Sequence, residues 1–334
     1  MNPSGRLYIF DNLKVLLIFL VVFGHMLEII TSRLGGMAYT FIYMFHMPLF
    51  VFCTGYFSKY NPKKILAKLV VPFLAFQFLY SVFGIFILGN YGIAIQFTTP
   101  FWMLWFLFSL IIWMLFLPII DRFTNNKRQA LITVSVSFVL GILAGFDDTM
   151  GYYMSLQRTF YFLPFFVSGF CMRKWVSAEV LLKVLGKWYV RAVFGILAVG
   201  ILAFVFLFND FIYIRWLWAA FSYERLAHAG YTFVVRIVLY LVAVVISAGV
   251  MCFTPREKLV VSYIGERTLQ VFLLHGFIVL FLELIGIDFF FDGFAMLGFV
   301  LMVSLLIIFV LSSRLFSLSY WHWLFVKKGW REFL

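Results

Sequence analysis

Apolar runs of membrane-spanning length recur ten times along the chain, and this recurrence restricts the fold more than any other feature. The runs cover roughly 8–30, 39–57, 69–89, 101–120, 130–146, 154–172, 189–208, 231–251, 268–286 and 293–312. A stretch of about 20 apolar residues is what a helix needs to cross the hydrocarbon core of a bilayer. The predicted fold is all-α, a polytopic membrane protein with about ten transmembrane helices, in a single domain over 1–334. Composition supports this. The 334 residues are 65% apolar and 12% charged, against about 45–50% and about 25% in soluble domains. A soluble fold could not hide that much apolar surface, so a soluble enzyme and a disordered chain are both excluded. The run at 154–172 is the least regular, because Arg158, Pro164 and Gly169 interrupt it. There is no linker, no low-complexity stretch and no clear internal repeat.

The net charge is +12, from 26 Lys and Arg against 14 Asp and Glu. Cytoplasmic loops facing anionic lipid account for it better than nucleic acid does, and no nucleic-acid partner is expected. Sorted into alternate loops, the basic residues divide 21 to 5. The smaller set is Arg33, Arg158, Arg215, Arg225 and Arg236. By the positive-inside rule, both termini are expected in the cytoplasm of a multi-pass protein of the plasma membrane. The first run has no small-residue cleavage site and reads as a retained helix. Cys53, Cys171 and Cys252 lie inside apolar runs without metal-ligand spacing, so they read as core residues and no metal is predicted.

Ionisable side chains inside a span are costly and mark candidate sites. In the first run, Lys14 and His25 fall about 20° apart around a helix and about 16 Å apart along it. Asp11 lies within about 40° of the same line, and Glu28 stands about one turn beyond His25. These four groups form a stripe that must face protein or a wet cavity; helix packing is the alternative. His46 precedes Pro48, which can kink a helix, so it lines a cavity or bonds to a backbone carbonyl. His275 is followed by Gly276 in the ninth run and has structural and functional readings alike. Lys59, Lys63, Lys64 and Lys68 suit lipid head groups or a phosphorylated cofactor. Arg158 is placed to pair with Asp147 or Asp148, or to hold an acceptor. The segment 209–230, with Trp216, Trp218 and Tyr223, reads as interfacial anchors or as a platform for sugar rings. Nucleophile elbow and P-loop patterns are lacking, which leaves histidine as the centre of any chemistry.

Several short elements then occur in a telling order. Asp11-Asn12-Leu13-Lys14 and Val21-Val22-Phe23-Gly24-His25 form a [KR]-x10-H element. Phe45-His46-Met47-Pro48-Leu49-Phe50, Leu104-Trp105-Phe106-Leu107, Arg158 with Leu163-Pro164-Phe165-Phe166, and Leu273-Leu274-His275 follow. Together they resemble the integral membrane acyltransferase family 3, in its polysaccharide O-acetylase branch. The resemblance implies transfer of an acetyl group from cytosolic acetyl-CoA to a hydroxyl of a cell-surface glycan or its lipid-linked precursor. It maps the family's histidine onto His25, with Glu28, His46 and Asp11 as possible helpers. It maps the basic member onto Lys14, with Lys63, Lys64 and Lys68 toward cofactor phosphates. Arg158, Trp105 and His275 fall to the acceptor. The family's Arg-x-x-Arg pair after the second span is missing here. A transporter or flippase is the rival class on composition, and a scaffold or sensor without catalysis is a third.

Overall fold

A computed structural model describes residues 7–30, 32–89, 95–287 and 293–316. Among the described residues there are helices and turns and no strand. The helices are α1 (Tyr8–Leu27), α2 (Arg33–Tyr43), α3 (His46–Phe57), α4 (Pro62–Ile65), α5 (Val71–Phe86), α6 (Trp105–Arg122) and α7 (Lys127–Leu143). They continue as α8 (Leu156–Trp175), α9 (Ala178–Gly186), α10 (Trp188–Phe208), α11 (Phe233–Phe253), α12 (Thr268–Leu284) and α13 (Gly293–Leu311). A π turn, Leu66–Val70, joins α4 to α5.

Each of the ten predicted runs coincides with a helical segment. Among the described residues, eight segments are long and apolar enough to cross a membrane. A ninth is Val260–Glu266 with α12, bent by 84°. The remaining one is α8, whose 20 residues include Arg158, Arg173 and Lys174. Pro164 and Gly169 do not interrupt α8 as the sequence suggested; one continuous helix carries both. The break falls instead before Pro48, where α2 ends and α3 begins. Proline offers no N–H to the carbonyl four residues back, so the chain turns at Met44–Phe45. Membrane burial also explains α10, where Ile196 and Val199 are 72% and 65% exposed. Leaving such side chains in water forfeits about 1.5–3 kcal/mol each, a cost that lipid removes. The protein is an all-α, multi-pass membrane protein.

Contacts group the chain into two compact units, residues 1–39 with 254–334, and residues 40–253. In the first unit, α1 packs on α12, α13 and the turn Val260–Glu266. Its core side includes Leu13, Leu17, Ile18 and Val22, all fully buried. The N-terminal end of α1 is fastened by Asn12, whose Nδ2 donates to the carbonyls of Pro255 (2.9 Å) and Glu257 (2.8 Å). Ser262 closes the bracket, donating to Asn12 Oδ1 at 2.6 Å. Gly265 lies against the backbone of Asp11, where a Cβ would clash with the carbonyl oxygen. The first turn of α12 is tied to the last of α13: Arg267 donates to Ser312 O (2.6 Å) and Gln270 to Leu311 O (2.7 Å).

In the second unit, α3 and α8 cross at reciprocal glycines. A Cβ on Gly55 would run into the Phe166 carbonyl, and one on Gly169 into the Phe52 carbonyl. Small residues let backbones meet at van der Waals distance, which is how helices associate where lipid removes the hydrophobic drive. α7 and α6 also pack on α8, and α11 lies on α10 and α3.

Candidate functional site

The polar stripe of α1 resolves into two pairs, each three residues apart. Near the N-terminal end, Lys14 Nζ lies 3.7 Å from Asp11 Oδ1. At the C-terminal end, His25 Nδ1 lies 3.2 Å from Glu28 Oε1. Glu28 is the residue that caps α1. Tyr39 donates its hydroxyl to the same Glu28 oxygen at 3.1 Å. An ionised carboxylate only accepts, so Nδ1 of His25 carries the hydrogen and Nε2 is the basic nitrogen. Asp11 stands 14 residues from His25, about 21 Å along the axis, and lies beside Lys14. The carboxylate that orients His25 is Glu28.

His275 completes this group within the first unit. Its ring lies 5.5 Å from that of His25, 28° from parallel. It is fully buried. Its Nδ1 lies 3.0 Å from Val271 O and 2.8 Å from Phe272 O. Two carbonyl acceptors require a hydrogen on Nδ1, which leaves the Nε2 lone pair buried and without a hydrogen-bond partner among the described residues.

His46 belongs to the second unit. It is buried, with Nδ1 2.8 Å from Ile42 O and its ring tilted against Tyr43. The backbone bond is the more modest of the two readings its sequence allowed. Lys63, Lys64 and Lys68 are exposed along Pro62–Val70, after Asn61 caps the helix through the Lys64 amide.

Arg158 and Trp105, on α8 and α6, come together in the second unit. The guanidinium stands 5.2 Å from the Trp105 ring centre and 5.4 Å from that of Tyr152, and Nε donates to Trp218 O at 3.0 Å. The two carboxylates considered for Arg158 are engaged elsewhere. Asp148 accepts from Ser222 (2.5 Å) and pairs with Arg225 (3.0 Å), while Asp147 accepts from Thr149. The Ser222 hydroxyl and then Arg225 hold the Asp148 carboxyl below its ordinary range, and Thr149 does the same for Asp147. Four non-glycine residues among those described have positive φ: Trp102, Met154, Ser155 and Ala219. All four lie within four residues of Trp105, Arg158 or Trp218. Backbone held in such conformations gathers at binding and catalytic sites.

The segment 209–230 is packed rather than free. Tyr223 donates to Ile142 O (2.8 Å) and Trp216 stacks near Tyr231. Burial pushes the Tyr223 hydroxyl up to about 12, against the opposing charge of Arg236. Arg236 is fully buried and donates to Tyr231 Oη (3.0 Å), Gly141 O (2.7 Å) and Phe221 O (3.2 Å). By loop position alone Arg236 counts as a loop charge, although an arginine five residues inside an apolar run is a signal of a buried cation.

A histidine whose tautomer is set by a carboxylate, at one end of a helix that carries a cation near the other, is suited to acyl transfer. The acyltransferase domain family of integral membrane proteins, acyltransferase family 3, matches residues 7–314. The chain belongs to this family. The family covers both compact units and establishes the protein as a membrane acyltransferase. No curated protein matches the chain, and no solved structure does. Groups of three or more ligands able to hold a metal do not occur among the described residues.

Proposed function

We propose that the protein is an O-acetyltransferase that moves an acetyl group from cytosolic acetyl-CoA to a hydroxyl of a cell-surface polysaccharide or its lipid-linked precursor. The observation that carries this reading is the contact between His25 Nδ1 and Glu28. It leaves Nε2 as a general base on a half-buried ring near the end of a membrane helix. His25 takes the proton of the attacking hydroxyl as its oxygen bonds to the acyl carbon. It then returns that proton to the departing thiolate, so the base is regenerated. Glu28 orients the ring and stabilises the imidazolium formed in between, and Tyr39 holds Glu28. A covalent acetyl on His25 followed by transfer uses the same residues and the same proton balance. His275 offers a buried hydrogen-bond acceptor beside this ring for a donor group of the acceptor.

Acetyl-CoA supplies the activated acyl group, and the residues of α1 suit its length. Lys14 is about 16 Å from His25 along the axis, within about 20° of the same face, so it can meet phosphate while His25 meets the thioester. Lys63, Lys64 and Lys68, exposed on the second unit, suit phosphate groups, of a cofactor or of lipid head groups. Arg158, Trp105, Tyr152 and Trp218 are assigned to the acceptor: aromatic faces stack on sugar rings and the guanidinium donates to their oxygens. The 21-to-5 division of basic residues supports cytoplasmic termini in the plasma membrane. Mass spectrometry of surface glycans from cells with and without the protein tests the reading. Loss of 42 Da increments (one acetyl each, by the chemistry of the group) in its absence is expected, and identical acetylation would overturn it.

A further inference from the structure

The loop between α11 and the turn Val260–Glu266 contains an unsatisfied cation. Nε and one terminal nitrogen of Arg256 are shielded from solvent and have no hydrogen-bond partner among the described residues. Arginine cannot shed its charge, and its planar fork of donors matches phosphate oxygens in pairs. Donors withdrawn from water without partners are costly, so such a side chain is held for something that arrives. Arg267, by contrast, is spent on Ser312 O at 2.6 Å and on the face of Tyr263.

The position is built. The carbonyls on either side of Arg256, those of Pro255 and Glu257, are both held by the buried side chain of Asn12. Ser262 locks Asn12 in turn, and its Oγ accepts from the Leu259 amide at 2.8 Å. Arg256 is therefore registered against one turn of α1. That turn lies 13 residues before His25, about 20 Å along the helix axis. A ligand that places phosphate at Arg256 and its reacting carbon at His25 must carry the two at opposite ends of a long, thin arm.

We propose that Arg256 is a binding site for phosphate groups at the nucleotide end of coenzyme A. The inference rests on the acyl-CoA donor reading above. A lipid head group offers the same phosphate chemistry, but nothing fixes a lipid phosphate at a set distance from His25.

The test titrates coenzyme A, 3′-dephospho-coenzyme A and pantetheine against the full chain purified in neutral detergent. The chains are wild type, Arg256→Gln and Arg256→Lys, with folding read by far-UV circular dichroism and a monodisperse elution profile. Wild type is expected to prefer coenzyme A over pantetheine. Arg256→Gln should weaken coenzyme A by about 10- to 150-fold, the worth of a charge-assisted hydrogen bond, and leave pantetheine unchanged. Arg256→Lys should fall between, and it decides the matter if Arg256→Gln does not fold. Native mass spectrometry of the same chains from phosphatidylglycerol nanodiscs is the second arm. Loss of retained lipid in the variants with coenzyme A affinity intact would assign the site to lipid and overturn the proposal. Equal coenzyme A affinity in wild type and variants would overturn it while leaving the donor reading in place. A wild-type chain that binds none of the three ligands would overturn the donor reading itself.

Discussion

The imidazoles of His25 and His275 lie 5.5 Å apart and 28° from parallel, although 250 residues separate them in sequence. Glu28 sets the protonated nitrogen of the first ring, and two backbone carbonyls set that of the second. The first unit thus holds two imidazoles with fixed tautomers, each presenting Nε2 as a lone pair.

Glu28 is expected to act through His25 rather than on substrate. Glu28→Gln keeps the shape and a hydrogen-bonding oxygen but removes the charge that stabilises the imidazolium. Turnover should fall by about 10- to 150-fold, the worth of one charge-assisted hydrogen bond, with the acyl-donor KM little changed. Steady-state kinetics on the purified variant would show this. A change confined to KM would place Glu28 in binding instead.

Arg236 should matter for stability more than for chemistry. Arg236→Leu strands the carbonyls of Gly141 and Phe221 and the hydroxyl of Tyr231. Each orphaned acceptor costs about 1–3 kcal/mol. A large drop in melting temperature in detergent is expected, with looser protection of 209–231 in hydrogen exchange. An unchanged melting curve would show that the aromatic cage around it is self-supporting.

The polar pair at the base of that segment gives a pH dependence. The folded Asp148 carboxyl titrates below its ordinary value because Ser222 and Arg225 bond its charged form. Its contribution is present above the ordinary carboxylate range, about pH 3.9, and is lost as pH falls through the depressed folded value. Hydrogen exchange around 219–226 should therefore be steady from pH 7 to pH 5 and loosen on strong acidification. Asp148→Asn should loosen it already at neutral pH.

The membrane topology is open to direct labelling. A single cysteine at Lys64 should react with an impermeant reagent only from the cytoplasmic side, and one at Arg225 only from outside. Lys328, whose cysteine gives the same cytoplasmic expectation, lies outside the described residues, as does Arg6. External labelling at Lys64 would invert the orientation.

What the sequence revealed follows from what is local. The helices of α1 and α13 were legible because lipid demands long apolar runs, and the α1 stripe because 3.6 residues per turn fix angles without tertiary knowledge. The pairing of His25 with Glu28 is of that kind, three residues apart. Asp11 shares the angle of the stripe but stands about 21 Å from His25 along the axis, beside Lys14. The meeting of His25 with His275, or of Arg158 with Trp105, depends on which helices pack together, and no single run encodes that. Pro164 reads as an interruption because proline cannot donate to the helix ladder, yet α8 continues through it. In sequence Arg256 is one charge among several in a basic loop; its shielded nitrogens and the bracket made by Asn12 and Ser262 distinguish it from the exposed Lys258.

The central claim, that His25 is the base of an acetyl transfer, is tested most directly by single-turnover kinetics. Purified wild type and His25→Ala would be given radiolabelled acetyl-CoA and a glycan acceptor, with donor affinity measured on the same samples. Loss of the base should slow transfer by about 10²- to 10⁴-fold, with donor affinity retained and the variant folded in the membrane. Transfer at the wild-type rate by a folded His25→Ala chain would contradict the account and remove His25 from the chemistry.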